Sequence, residues 1–200
     1  MNKNHNSQDI AWVEIKIPFN IKWLKKFIKD LERLYRINSL MEFKHWQKTA
    51  KNTYTIKGKN LSNNQIFSNS ITIEKKNNKT IINYKSGIKL ITIIEVKAVD
   101  EGNSILKIVD DYGKLANSKK QQRLNEVDKS LNTWANDIFK YCYAWKRYAK
   151  IPLWQWYMAK VWQPMKPSSR RITKMIIIVT VLEFIVFLFV FTIFWLENFS

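Results

Sequence analysis

The chain has 200 residues, a net charge of +18 and a single cysteine. That length suffices for one ordinary domain with its own core plus an appendage. The lone thiol, Cys142, excludes an internal disulfide and fits a reducing compartment. Two histidines (His5, His45) and four glycines leave no material for a His/Cys metal site or a Gly-rich phosphate loop, so neither metal nor cofactor is expected.

The basicity reads in two ways. Lys, Asn and Ile are abundant together, which suits AT-rich codons and a solvated, drifting surface; the functional reading is attraction to an anionic partner, lipid headgroup or nucleic acid. The lysines are spread along the chain rather than gathered with exposed aromatics, which disfavours nucleic acid.

The polar opening, residues 1–9, carries no apolar core and predicts no secretory signal. From Trp12 to Phe19 the residues alternate, with Val13, Ile15, Ile17 and Phe19 on one face, and Pro18 ends the strand. Asn20 is placed to cap a helix running to Ile37, with Leu24, Phe27, Ile28, Leu31, Leu34 and Tyr35 on its apolar side. Six short runs follow between polar turns: LMEFKHW, TYTIKGK, QIFSNSITIEK, TIINYK, IKLITIIEVKAV and SILKIVDDY. Their spacing predicts an antiparallel meander. A long helical pattern then runs from about Ser118 to Tyr148, through Leu124, Val127, Leu131, Trp134, Ile138, Tyr141, Trp145 and Tyr148. Its continuous apolar face requires a surface to lie on, and the meander supplies one.

Residues 154–171, WQWYMAKVWQPMKPSSRR, crowd aromatic rings ahead of prolines and arginines. Trp154, Tyr157, Met158, Val161, Trp162 and Met165 recur at helical steps, and Trp156 adds a further ring. Amphipathic rings favour the headgroup region, so residues 151–171 read as an interfacial elbow that Pro164 and Pro167 break. The plainer reading packs the same tryptophans on the domain. From Met175 to Leu196 the chain is apolar except for Thr180, Glu183 and Thr192, and as a helix it spans roughly 30 Å, about one hydrocarbon core. Residues 172–200 are therefore expected to form a transmembrane tail anchor. Lys166, Arg170, Arg171 and Lys174 precede the span, which by the positive-inside rule puts the bulk of the protein in the cytosol. Glu183 inside the span reads either as a tolerated neutral acid or as a contact to another helix, in a membrane-protein partner or a second copy.

The order strand, helix, six strands, long helix resembles the START/polyketide cyclase-like (SRPBCC) superfamily over roughly residues 10–148. LERLYRINSLMEFKHW, GIKLITIIEVKAVDEGNSILKIVDDYG and the WQWYMAKVWQPMKPSSRR tail resemble a bacterial branch with a C-terminal anchor. The resemblance implies an α+β helix-grip fold over 10–150: a curved antiparallel sheet around a long C-terminal helix, with an apolar cavity between them. It also implies a membrane-anchored, cytosol-facing binding protein for an apolar small molecule or membrane lipid. A cyclase- or dehydratase-like enzyme acting on a hydrophobic intermediate is one alternative, and a membrane-complex interaction protein is another.

Candidate ligand-facing residues follow from strand faces. His45 shares a face with Met41 and Phe43, and no nucleophile elbow accompanies it; a hydrogen-bonded rim histidine is the ordinary reading. Asp110 and Asp111 point to opposite faces and cannot act as a close carboxylate pair. Asp110 lies with Leu106, Ile108 and Tyr112 and is the better candidate, against an ordinary role in solvent or at a turn. Trp134 joins them from the long helix, while Glu14 and Glu95 are weaker candidates.

Overall fold

The computed structural model describes residues 9–113 and 127–199. The chain divides into two compact units, Met1–Pro164 and Met165–Ser200. The first holds a seven-stranded, wholly antiparallel sheet in the order β1-β7-β6-β5-β4-β3-β2. Its strands are β1 (Ile10–Ile17), β2 (Met41–Ala50), β3 (Thr53–Asn60), β4 (Ile66–Lys76), β5 (Lys79–Tyr84), β6 (Ile91–Ala98) and β7 (Ser104–Asp111). The expected meander is present, closed by β1 pairing with β7. Helices α1 (Ile21–Phe27) and α2 (Leu31–Arg36) follow β1, and α3 (Leu131–Tyr148) follows the sheet. This is the helix-grip arrangement: α3 lies on β1, α1 on β6 and β7, and α2 on β2.

Strand alternation decides the core. Along β7, Ser104, Leu106, Ile108 and Asp110 face inward; Thr92, Ile94 and Val96 do so along β6, and Ile15 and Ile17 along β1. Asn52, Asn64 and Asn77 take left-handed backbone conformations at the sheet's tight turns, as Gly87 does between β5 and β6. Asparagine tolerates that region better than most residues, which is why turns written with Asn punctuate the runs.

Two helical expectations change. The helix drawn from Asn20 to Ile37 is two helices. Asn20 Oδ1 accepts from the Trp23 N–H at 2.9 Å, and Asp30 Oδ1 accepts from the Arg33 N–H at 3.0 Å. An aspartate competes well for backbone N–H groups and so starts a new helix rather than continuing the old one. The long helix begins at Leu131, not Ser118. Residues 118–126, Leu124 among them, lie outside the described residues, and 127–130 turn because Asp128 Oδ1 accepts from the Ser130 N–H at 2.9 Å. Of the expected apolar face of α3, Leu131, Trp134, Ile138 and Tyr141 are buried, Trp145 is partly buried and Tyr148 is exposed, while Cys142 adds a buried thiol.

A third change affects a site residue. β2 carries register irregularities after Phe43 and after Lys48; Phe43 pairs with Gly58 and His45 with Lys57. One extra residue exchanges the faces of everything that follows it. Trp46 therefore turns inward to meet Phe43 and Tyr35, and His45 turns outward, exposed and bonded to Gln47 at 3.0 Å. His45 is excluded from the interior by this bulge. Gly58 sits opposite it, where a Cβ would collide with the Glu42 carbonyl oxygen and come within 2.8 Å of the Phe67 ring. Gly58→Ala is expected to destabilise the chain by about 1–3 kcal/mol, because the obstacle includes backbone that cannot step aside. Thermal unfolding of the detergent-solubilised chain checks this against Gly102→Ala, whose added carbon makes only ordinary contact at 3.7 Å.

Candidate functional site

A half-open cavity of about 270 Å³ lies at the end of the sheet bounded by the β3–β4 turn and the loop between β5 and β6. Its wall is apolar: Met41, Phe43, Ile56, Ile66, Phe67 and Ile88. Phe43 meets Phe67 at 5.6 Å and Tyr35 at 6.0 Å between ring centroids, so the aromatic wall is held edge to face. Its charged and phenolic groups are Lys89, Asp128 and the three tyrosines Tyr35, Tyr84 and Tyr112, and the amides and hydroxyls of Asn63, Gln65, Asn69 and Ser86 also line it.

Lys89 organises the polar end. Its Nζ donates to Asp110 Oδ2 at 2.8 Å and to Asp128 Oδ2 at 3.0 Å. The rings of Tyr84 and Tyr112 flank the ammonium at 5.8 and 5.7 Å, within cation–π range. Asp128 Oδ1 accepts in turn from Asn60 Nδ2 at 3.0 Å and from the Ser130 N–H. A chain of hydroxyls joins from the other side: Tyr35 and Tyr84 are 2.6 Å apart at oxygen, Tyr84 and Thr92 are 3.2 Å apart, and Thr92 Oγ1 donates to Asp110 Oδ1 at 2.5 Å.

Burial disfavours the charge on Lys89, but Asp110 and Asp128 together outweigh it and hold its pKa well above the ordinary lysine value. Burial also raises the Asp128 carboxyl, yet Lys89 and the Ser130 bonds prevail and hold it at about 2. Burial pushes Tyr35, Tyr84 and Tyr112 upward, so all three stay neutral.

The structure brings together two of the four residues selected from sequence. Asp110 is 1% exposed and bonded into the network, and Tyr112 lines the cavity. Trp134 is buried in the core, its Nε1 donating to the Leu34 carbonyl at 2.8 Å and its ring 4.8 Å from Tyr35, so it backs the wall through Tyr35. His45 is outside. Asp111 accepts from the Gly113 N–H at 2.8 Å, a turn role. Glu14 and Glu95 pair on the outer face with Lys107 at 3.0 Å and Lys79 at 3.8 Å. Sequence reasoning missed Lys89, Asp128, Tyr35 and Tyr84. Lys89 was hidden inside an apolar run that reads as strand, and its carboxylates lie 21 and 39 residues away.

The aromatic elbow forms α4 (Pro152–Tyr157), which continues through a π-helical turn at Met158–Trp162. Trp154 packs on Trp145 at 5.2 Å and on Tyr148 at 5.9 Å, and Trp162 on Tyr141 at 5.7 Å; Met158 is buried and Tyr157 half-buried. From Trp154 to Trp162 the stripe read from helical spacing thus lies on the domain. The opposite side, with Ile151, Leu153 and Trp156, is exposed. In the second unit, α5 (Pro167–Phe199) begins on a proline and includes Arg170, Arg171 and Lys174 ahead of the apolar run. It is long and apolar enough to cross a membrane. Its side chains from Met175 to Leu196 are exposed, Glu183 among them.

Asp128 makes the network sensitive to acid. A carboxyl depressed from 3.8 to about 2 adds stability above its unfolded value, and that stability is lost as the pH falls from about 4 towards 2. The contribution is roughly 2 kcal/mol. Asp128→Asn is expected to lower stability at pH 6 and to flatten this part of the acid-side decline, measured as Tm against pH.

No protein-family model matches the chain, and no curated protein matches it in sequence. Solved structures do. A protein from Thermus thermophilus superposes with a TM-score of 0.52 at 10% identity, over 68% of this chain and 97% of its own. A START superfamily protein from Mycobacterium smegmatis is similar at a TM-score of 0.49 and 8% identity, over 66% and 97% of the two chains. A conserved protein from Geobacillus kaustophilus is similar at 0.48 and 12%, over 68% and 96%. The Thermus likeness agrees with the strand order and α3 seen here: the first unit has a helix-grip fold.

Proposed function

We propose that the chain is a membrane-anchored binding protein for an apolar small molecule or lipid, which it holds, transfers or presents at the cytoplasmic face of a bacterial inner membrane. The observation that carries this reading is the cavity, aromatic and aliphatic along its wall and polar at one end, in a chain that also bears a membrane-length apolar helix. Such a cavity takes up the apolar body of a ligand and fixes its orientation with a few polar groups.

The membrane part of the reading rests on α5. A helix with exposed Ile, Val, Leu and Phe from Ile172 to Leu196 is stable in lipid and costly in water. Lys166 before α5, and Arg170, Arg171 and Lys174 in its first turns, favour the cytoplasmic side for the domain. In this reading the lipid-facing rings of the elbow are not the ones that zip onto α3. Leu153 at 74% exposure and Trp156 at 57% meet the headgroups instead, with Ile151 beside them.

Catalysis on the bound molecule is a second reading, and one observation favours it: the cavity is not lined by Leu, Ile and Phe alone but reaches a buried carboxylate, Asp110, through Lys89. Conversion of an extracted ligand by the purified chain, lost in Asp110→Asn, would move the assignment from binding to catalysis.

Solvent extraction of the full chain purified in mild detergent is expected to release an apolar compound in near-stoichiometric amount; an empty protein, with Glu183→Leu abolishing capture of a membrane partner, would transfer the assignment to partner docking. In sealed vesicles exposing the cytoplasmic face, added protease is expected to remove the first unit and leave a protected fragment beginning near Lys166. Full protection of the domain would refute the proposed sidedness.

A further inference from the structure

We propose that the cavity selects an uncharged ligand whose polar end is a hydrogen-bond acceptor, a carbonyl or hydroxyl, docked on Lys89, and that it rejects the carboxylate or phosphate end of an anionic lipid. This inference rests on the ligand-binding reading above and narrows it to a chemical class.

The first argument is charge. A lone lysine at the end of an apolar cavity would be an anion site. Here its ammonium is already bonded to two carboxylates, Asp110 at 2.8 Å and Asp128 at 3.0 Å, so the three groups together carry one negative charge. Asp110 is 1% exposed, and the side chains of Asp128 and Lys89 are 10% and 15% exposed, so water screens this charge weakly. The remaining titratable groups at this end, Tyr35, Tyr84 and Tyr112, are neutral and offset none of it. A second anion reaching Lys89 would be the third negative group around one ammonium.

The second argument is the direction of hydrogen bonds. A carboxylate only accepts, so Thr92 must donate to Asp110. Having one proton, Thr92 then accepts from Tyr84, and Tyr84 from Tyr35. Every hydroxyl proton of this chain is therefore turned away from a ligand and toward Asp110. The Tyr112 hydroxyl points to the Asp128 carbonyl at 3.5 Å. Lys89 is different: an ammonium has three N–H groups, two are taken, and among the described residues no oxygen accepts the third. The cavity thus presents one charged donor at its polar end. A ketone, ester or alcohol oxygen satisfies it without adding charge. An ammonium ligand cannot, since it has no lone pair to offer and would set two cations side by side.

Size agrees with a small molecule. About 270 Å³ holds roughly nine water-sized groups at ~30 Å³ each. We would titrate the full chain, methyl-labelled at isoleucine and held in phosphatidylcholine nanodiscs, with octan-2-one, octanoate and octylamine. The methyl signals of Ile56 and Ile88, which line the cavity, report occupancy. The expected result is binding of octan-2-one at least tenfold tighter than octanoate or octylamine. Asp128→Asn, which makes the end neutral, should narrow the gap to octanoate, and the double variant Asp110→Asn with Asp128→Asn should invert it; comparing each probe between variants cancels its partition into lipid. Octanoate as tight as the ketone in the unmodified chain, or an order unmoved by Asp128→Asn, would overturn the charge class and leave the binding reading standing. Unmoved Ile56 and Ile88 signals with all three probes would instead overturn the binding reading itself.

Discussion

The largely enclosed ammonium of Lys89 is the constraint around which this end of the domain is arranged. An isolated charge at such depth is costly, and it is tolerated only because two carboxylates from distant parts of the chain converge on it. One, Asp110, is delivered by strand alternation in β7. The other, Asp128, sits in the turn that starts α3, where the same carboxylate also takes the Asn60 amide from the end of β3. A single cation thereby ties the segment before β6 to β7 and to the root of the long helix, and through Asp128 to the end of β3. That it also borders the cavity means the fold's electrostatic knot and the proposed ligand contact are one object. Change in one is felt by the other.

A second continuous feature runs along the opposite flank. Phe19 stacks on Trp23 at 3.8 Å, Trp23 on Phe27 at 5.1 Å, and Phe27 leads through Tyr141 and Trp145 to Trp154. The ladder begins just after β1 and ends in the elbow, so the segment before α5 is anchored to the domain by rings rather than left as a free linker. Helical periodicity alone could not tell which side of α4 would be enclosed. Once α3 offers Tyr141, Trp145 and Tyr148 as partners, burial of Trp154 and Trp162 follows from area, and Trp156 and Leu153 are left outside.

Much of the architecture was legible because β-sheets write themselves in period two. The inward set Leu106, Ile108, Asp110 on β7 and the Asn-marked turns could be read directly. What escaped was non-local. The bulge after Phe43 exchanges His45 for Trp46 on the inner face, and its trace in the sequence is Gly58, which stands on the next strand and meets the bulge only once the ladder has formed. The break at Asp30 was available from the residue type, but an unbroken apolar stripe masked it. Lys89 looked like one more surface lysine in a chain rich in them, because nothing nearby in sequence announces its partners.

Cys142 gives the fold an internal gauge. Its thiol lies fully enclosed on the inner side of α3, and burial, eased only slightly by Arg33, pushes it up to about 12. Alkylating reagents attack the thiolate and need access, so in the closed domain this sulfur is silent. It becomes reactive only when α3 lifts from the sheet. The rate at which the native thiol is trapped is therefore a clock for that opening, written into the chain without any added label.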